Sequence, residues 1–309
     1  MATISLFRRF WAGLTLCGLS AIALGANGVQ VSQQREERPS NQQRVYVSVL
    51  DKAGAPVTTL TVADLTIKED GASREVLKVE PATDPMQIAI LVDTSAATRA
   101  AVADMRAAVK TFGAAIWAKS PDSQIALYTF GGRPTLEADY SPSAVNLGRR
   151  ADRMFSSSED GAYFIDAIMD AAASLKKRKA ARPVIVAYVD ENGPEFSNRR
   201  HDVTFNALAA ARASLWVVAR QGFSTSTATP ENRERAMIIG DVTTRSGGRS
   251  SMVFDGTALK SRLTDLATQL LSQMVVTYGR TDTLVPPDKL EIRAVNPDLR
   301  LVAPRWTSK

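Results

Sequence analysis

The sequence is poor in the residues that most metal centres and nucleophilic sites use. It has one cysteine and one histidine among 309 residues. Cys17 lies within the first 25 residues, and without it the chain has no thiol for a disulfide, a thiolate zinc site or a cysteine nucleophile. A single histidine, His201, excludes any site that needs two imidazoles, including the HExxH pattern of metallopeptidases. His201 sits in SNRRHDVTF, which predicts an arginine-rich loop entering a helix, so a surface role is favoured over catalysis.

Patterns for nucleotide or nucleic-acid binding are also missing. The chain has no GxxxxGK[ST] loop and no GxGxxG run, and its glycine pairs, Gly131-Gly132 and Gly247-Gly248, are typical of isolated turns. The basic runs at 176–179 (KKRK) and 198–200 (NRR) are short and have no interleaved aromatic residues. We therefore expect neither a nucleotide nor a nucleic acid as ligand.

The N-terminal segment indicates export. Residues 1–25 contain Arg8 and Arg9, no acidic residue, and then an apolar stretch that ends in the small residues Ala23 and Gly25. The apolar core, 11–25, is shorter than the roughly 20 residues that span a bilayer. We expect 1–25 to be a signal peptide and the protein to be secreted or periplasmic in a bacterial envelope. The alternative is an uncleaved leader that acts as a membrane anchor.

The flanks of the remaining chain carry short strand patterns. Residues 26–43 are polar, rich in Gln and Arg and without a hydrophobic period, which predicts a disordered tether. Runs of alternating apolar and polar residues then follow, and similar runs close the chain: 44–51, 63–70, 73–80, 274–280, 288–295 and 298–304. Asp70-Gly71 predicts a hairpin between the second and third runs. We expect 44–82 and 274–309 to form the two halves of one small β-sandwich.

Between these flanks, residues 83–273 alternate strands with helices. The run 87–93 (QIAILVD) is almost wholly apolar, as in a strand buried on both faces of a parallel sheet. From Val102 to Ile116 apolar residues recur at steps of three and four, which predicts an amphipathic helix. Further units follow through 183–190 (PVIVAYVD) and 214–220 (SLWVVAR). This pattern predicts an α/β fold with a doubly wound, mainly parallel sheet.

Two of the buried runs end in an aspartate, at Asp93 and Asp190. Ligands of doubly wound sheets bind beyond the carboxyl ends of the strands, so we expect both carboxylates at one edge. Thr94 and Ser95 follow Asp93, and hydroxyl groups beside a carboxylate suit a hard cation such as Mg²⁺. In the alternative interpretation the aspartates simply accept backbone N–H bonds as helix caps.

These segments resemble the von Willebrand factor type A domain, and in particular the secreted bacterial VWFA-related proteins. The resemblance extends over nearly all of the chain that follows the leader, through DKAGAPVTTLTVADLTIKEDG, the strand into DTSAA, GAYFIDAI, VIVAYVDENG and QMVVTY. It implies a Rossmann-like fold and a metal-ion-dependent adhesion site. In that family an Asp-x-Ser-x-Ser loop, a threonine and a later aspartate hold a cation whose open position takes an acidic group of a protein ligand.

The match to that adhesion site is incomplete. Asp93 and Ser95 match the first two loop positions, and Asp190 matches the later aspartate. Ala97 stands in place of the second serine and Ala162 in place of the threonine, and neither methyl group can coordinate a cation. The resemblance therefore implies a degenerate metal site at Asp93, Ser95 and Asp190, with no metal or with weakly bound Mg²⁺ or Mn²⁺ held partly through water.

We predict from this an exported protein-binding or scaffold module and not an enzyme. No nucleophile with a base, no acid–base pair and no cofactor cradle can be assembled from the sequence. One alternative is a functional Mg²⁺- or Mn²⁺-dependent adhesion module, and another is a hydrolase that uses a metal-bound water. The strand-end loops 190–202 and 222–235 are the expected contact surface, and their arginines favour an acidic protein partner.

Overall fold

The computed structural model describes residues 41–158, 161–222, 229–280 and 287–306. The predicted signal peptide, 1–25, lies outside these ranges, as does most of the predicted tether, 26–43. The first strand nevertheless begins at Gln42, because Gln42 and Gln43 pair with the strand at 274–279. No helix within the described ranges combines the length and apolar character that crossing a bilayer requires.

The strands and helices alternate through most of these ranges. The strands are β1 (Gln42–Leu50), β2 (Leu65–Glu69), β3 (Ala72–Arg74), β4 (Val76–Pro81), β5 (Gln87–Val92), β6 (Gln124–Thr129), β7 (Thr135–Ser141), β8 (Pro183–Asp190), β9 (Ser214–Arg220), β10 (Ser250–Val253), β11 (Met274–Gly279), β12 (Leu290–Ala294) and β13 (Arg300–Val302). The helices are α1 (Val102–Trp117), α2 (Ala144–Asp152), α3 (Phe164–Lys177), α4 (His201–Ala211), α5 (Pro230–Met237), α6 (Thr243–Arg245) and α7 (Leu259–Leu271). A π-helical segment, Ile238–Val242, joins α5 to α6.

The central sheet has the strand order β10-β9-β8-β5-β6-β7. Its strand pairs are parallel except for the outermost one, in which β7 runs antiparallel to β6. Side chains of α1, α2 and α7 share one apolar cluster with one face of this sheet. Side chains of α3, α4 and the π-helical segment share a second cluster with the other face. Both faces are covered, which confirms the predicted α/β fold with a doubly wound, mainly parallel sheet.

The flanking segments form two antiparallel sheets, one of order β13-β1-β11-β4 and one of order β12-β2-β3. Buried side chains of both sheets belong to one apolar cluster, so the two sheets share a core: Val45, Val47, Val49, Leu65, Ile67, Met274, Val276, Tyr278 and Leu290. Asp70 and Gly71 both have positive φ in the tight turn between β2 and β3, as the predicted hairpin requires.

One strand prediction was wrong. Residues 73–80 were expected to form one strand, but they are divided at Glu75 between β3, which pairs with β2, and β4, which pairs with β11. The residues of β3 and β4 are all exposed or half-buried, so no buried residue marks the division between the two strands. Alternation alone therefore hides the point at which the chain passes from one sheet to the other.

The α/β segment leaves the flanking sheets after β4 and returns to them at β11. Where the chain leaves and re-enters the flanking sheets, Ala82 N donates to Gln273 O at 2.9 Å. The buried guanidinium of Arg182 donates to the carbonyls of Ala82 and Leu270, at 3.2 and 2.6 Å, and to Gln273 Oε1 at 2.9 Å. One arginine of the α/β segment thus ties together the points where the chain enters and leaves it.

Candidate functional site

The two predicted acids lie together at one edge of the central sheet. β5 and β8 are neighbouring parallel strands in which Val92 is paired with Tyr188, so both run out at the same edge. Asp93 N donates to Tyr188 O at 3.0 Å, and Asp190 N donates to Asp93 Oδ2 at 3.0 Å. Both carboxylates are fully buried. We call this edge, with Asp93 and Asp190 at its centre, the strand-end site.

The carboxylate of Asp93 accepts hydrogen bonds from two main-chain amides. Oδ1 accepts from Ser95 N at 2.8 Å, and Oδ2 accepts from Asp190 N. Burial raises the pKa of Asp93 to about 6, and the neighbouring charge of Asp190 adds to that effect while the hydrogen bonds oppose it. Asp93 therefore joins the loop after β5 to the end of β8 through its own side chain.

The carboxylate of Asp190 is bound on both oxygens as well. Oδ1 accepts from the main-chain and side-chain nitrogens of Asn192, at 2.9 and 2.8 Å. Oδ2 accepts from Arg220 Nη1 at 2.8 Å, an ion pair in which the arginine side chain is 25% exposed. Arg220 is the last residue of β9 and is paired in register with Asp190, so adjacent parallel strands bring the two side chains together. Its Nη1 also lies 3.5 Å from the carbonyl oxygen of Ala97.

The hydroxyl-bearing residues of this loop behave differently from one another. Thr94 Oγ1 accepts a hydrogen bond from Gly131 N at 3.1 Å, so this hydroxyl stabilises the contact between two loops. Gly131 is essential there, since an added Cβ would lie 2.1 Å from the carbonyl carbon of Thr94. Ser95 is fully buried, and within the described residues its Oγ has no hydrogen-bond partner. Ser95 O accepts instead from Ser156 Oγ and Thr98 Oγ1, both at 2.8 Å.

The remaining positions of the expected metal site offer no side-chain oxygen. Ala97 and Ala162 are the two methyl-bearing positions, and Ala162 is fully buried. The main chain of Ala162 is held by the segment after β8, with N donating to Pro194 O at 2.9 Å and O accepting from Phe196 N at 2.8 Å. In the part of the chain that the structure describes, no group of three or more His, Cys, Asp or Glu side chains is arranged to hold a metal.

These residues do not fit a divalent cation. Ser95 Oγ and the hydroxyl oxygen of Tyr188 are buried without a hydrogen-bond partner in the described residues, whereas each carboxylate oxygen already accepts a hydrogen bond from the protein. A dication beside Asp190 would also meet the positive charge of Arg220, which repels it. The arrangement of Asp93, Ser95 and Asp190 is therefore that of a site whose cation is a guanidinium.

Arg220 is the residue that sequence analysis missed. It ends the apolar run SLWVVAR, which was predicted only as a further strand of the sheet. A basic residue at the end of a buried strand, beside two acidic ones, was the available signal. His201 lies at the start of α4, where its Nδ1 is 2.7 Å from Glu234 Oε2.

The fold is similar to those of solved von Willebrand factor type A domains. Proximal thread matrix protein 1 from the mussel byssus, with a zinc-occupied adhesion-site motif, has a TM-score of 0.50 and 16% identity, and covers 66% of this chain and 50% of its own. A von Willebrand factor type A protein from Catenulispora acidiphila has a TM-score of 0.47 and 10% identity, covering 88% of this chain and 76% of its own.

The type V pili tip protein Mfa5 from Porphyromonas gingivalis has a von Willebrand factor domain with a TM-score of 0.46 and 9% identity. That match covers 61% of this chain and 96% of that domain. No protein-family model matches the sequence, and no curated protein matches it. The fold is that of a von Willebrand factor type A domain, as the similarity to the mussel protein supports.

Proposed function

We propose that the protein is an exported protein-binding or scaffold module, without catalytic activity, whose strand-end site works without a metal ion. The observation that carries this proposal is that all four oxygens of Asp93 and Asp190 accept hydrogen bonds from the protein itself. The leader at 1–25 supports export. A solved protein of similar fold is a matrix protein of the mussel byssus, which supports a role in protein contact.

The charge of Arg220 changes what this site can recognise. A divalent cation held by few carboxylates keeps positive charge that attracts an acid from a partner. A guanidinium paired with Asp190 at 2.8 Å is already neutralised, and Asp93 adds a second buried acid nearby. A partner's carboxylate therefore gains little at this point, and contact by the surrounding loops is favoured.

Three exposed phenylalanines lie in the segments around the strand-end site. Phe196 follows β8 and is 46% exposed, and Phe254 follows β10 and is 69% exposed. Phe155, which is 74% exposed, precedes the serine whose Oγ donates to Ser95 O. Exposed aromatic side chains near one edge are typical of protein contact surfaces. We infer that the partner is bound chiefly through these aromatic side chains.

An acidic partner has less support than an apolar contact. In the loop 190–202 the two exposed arginines are paired within the chain, Arg199 with Asp166 and Arg200 with Asp202, each at 3.2 Å. Their charges are therefore partly compensated before any partner arrives. Residues 223–228 of the second predicted loop, 222–235, lie outside the described residues.

A metal-dependent adhesion module is the second candidate. One observation favours it, the buried Ser95 Oγ without a hydrogen-bond partner in the described residues, since a cation would supply one. Two acidic residues that could add ligands, Glu159 and Asp160, lie outside the described ranges.

Thermal melting with and without metal separates the two candidates. We expect the melting temperature of the wild type to be the same in EDTA, Mg²⁺ and Mn²⁺. A triple variant, Ala97→Ser, Ala162→Thr and Arg220→Ala, restores the missing oxygens and removes the competing cation, and it should gain a Mn²⁺-dependent rise in melting temperature. A wild-type rise in Mn²⁺ that disappears in Asp93→Ala would establish the adhesion module instead.

The contact surface is tested with a matched set of exposed apolar residues. Chemical cross-linking in EDTA should join the wild type to a protein of the cell envelope. The double variant Phe155→Ser and Phe196→Ser should lose this cross-linked product. The control Val145→Ser, at a side chain 81% exposed on α2, should retain it. Equal cross-linking by the double variant and the wild type would show that the aromatic side chains do not form the contact.

A further inference from the structure

A cleft beside the flanking sheets collects positive charge. Its volume is about 380 Å³, within the range of small-ligand sites. β12, β13 and the turn after α6 contribute to its walls. Five of the side chains that line it are basic and one is acidic: Arg249, Lys289, Arg293, Arg300, Arg305 and Glu291. Arg249 directly precedes β10, so this cleft lies at the opposite edge of the central sheet from the strand-end site.

Three of the five basic side chains have no compensating acid in the described residues. Glu291 pairs with the other two, at nitrogen–oxygen distances of 2.7 and 3.3 Å. Arg249, Arg300 and Arg305 form no ion pair in the ranges that the structure describes. Most basic side chains at a protein surface are separated by water or paired, so three unpaired arginines on one cleft are a strong local excess of charge.

The backbone that carries these arginines is held in place. Arg305 N donates to Arg245 O at 2.9 Å, which joins the segment after β13 to α6. Gly247 has a φ of +79° and packs so closely that an added Cβ would lie 2.6 Å from Pro304 N. Arg249 and Arg305 therefore come from two segments in fixed contact. A ligand that needs both arginines would find their main-chain segments already held together.

The cluster repels itself when it is empty. Burial lowers the pKa of Arg249, and the positive charges of Arg300 and Arg262 lower it further. An anion that enters the cleft relieves this repulsion and pairs with several guanidinium groups at once. Arginine binds phosphate and similar oxyanions with two parallel hydrogen bonds, which a planar guanidinium is shaped to form.

From this arrangement we propose that the cleft binds a multiply charged oxyanion, carried by a phosphate or sulfate group, through Arg249, Arg300 and Arg305. The site is independent of the proposed protein-binding role, since its residues and its edge of the sheet are different.

Titration of the full chain with pyrophosphate at low ionic strength tests this proposal. The wild type should bind saturably by calorimetry and melt at a higher temperature when bound. The double variant Arg249→Gln and Arg300→Gln should bind at least tenfold more weakly. The double variant Arg149→Gln and Arg150→Gln, an equal change of charge on α2 outside the cleft, should remain within twofold of the wild type.

The melting temperature measured without anion shows whether the double variant in the cleft is folded. Because repulsion is removed, the double variant should melt at the same temperature as the wild type or above it. If it melts lower, the single variant Arg305→Gln, at an exposed position, takes its place in the titration. Absence of wild-type binding to both pyrophosphate and anionic lipid vesicles, or equal weakening by the double variant on α2, would overturn the proposal.

A second probe identifies where the oxyanion comes from. Phosphatidylcholine vesicles with and without phosphatidic acid test a phosphate monoester, which can carry two negative charges, on a membrane surface. Binding to the anionic vesicles alone, lost in the double variant, supports the site and assigns it to a lipid headgroup. Binding of pyrophosphate alone supports it with a soluble ligand. A double variant that binds both probes as the wild type does would contradict the role of the arginines.

Discussion

The ion pair between Arg220 and Asp190 should be strongly coupled energetically. Asp190 is fully buried, and the arginine is only 25% exposed. Removing one partner of a buried pair costs about 3–5 kcal/mol because the other charge is left without compensation. The exposed part of Arg220 lets water recover some of this, so we expect a coupling energy of about 3 kcal/mol.

A double-mutant cycle measures this coupling. The variants are Arg220→Met, Asp190→Asn and the double variant, each unfolded in urea to obtain the free energy of unfolding. The cycle cancels the loss of the hydrogen bonds between Asp190 and Asn192, which only the aspartate variants suffer. Both single variants should be destabilised, and the double variant should be more stable than the sum of the two losses predicts.

An exposed pair provides the control. Arg262 and Asp265 on α7 are 3.7 Å apart, with side chains 52% and 59% exposed, so their coupling should stay below about 0.5 kcal/mol. If the cycle at Arg220 and Asp190 gives a value as small as this control, the guanidinium does not serve as the cation of the strand-end site. A metal-free strand-end site would then have no support from this ion pair.

Three further changes have expected outcomes. The free energy of unfolding should fall as pH rises from about 4 to about 7, because burial raises the pKa of Asp93 to about 6 and of Glu195 to about 7. In this range the folded state holds protons that the unfolded chain has released. For Asp93 the loss of stability is about 3 kcal/mol. Denaturation at several pH values checks this. A flat wild-type profile over this range, or a fall in Asp93→Asn as steep as in the wild type, would contradict it. Gly131→Ala should lose about 2 kcal/mol or more in urea unfolding, because its Cβ would overlap main-chain atoms, whereas Gly240→Ala, with nothing within 4 Å, should lose little. Deleting the chain after Tyr278 removes β13, one of two partners of β1, and β12, one of two partners of β2, so amide exchange in β1 and β2 should accelerate. Unchanged protection would argue against the prediction that the flanks form one unit.

The strand-end acids were predictable because two simple rules place them. Asp93 and Asp190 each follow an apolar run, and parallel strands of one sheet end at a common edge. Which strands are neighbours, and in what register, does not follow from these runs. The pairing of Asp190 with Arg220 depends on both, so the sequence predicted two acids together but not the base beside them.

The boundaries of the flanking strands could not be predicted for the same reason, because they depend on pairing with strands far along the chain. Gln42 and Gln43 have no apolar period of their own, and they are ordered by strand β11, far along the chain. Glu75 interrupts no local pattern, yet it separates strands of different sheets. Local alternation reports which face a residue turns inward, and it carries no information on the partner strand.

Seen from the flanking sheets, the whole stretch between Ala82 and Gln273 is one connection between two adjacent antiparallel strands, β4 and β11. Its two ends are already joined by a main-chain hydrogen bond. A short reverse turn has the same end-to-end span, so the long connection can be excised and a β-turn put in its place without changing the β4–β11 register. By the same geometry, the excised piece is suited to transplantation into the tip of a β-hairpin in an unrelated scaffold.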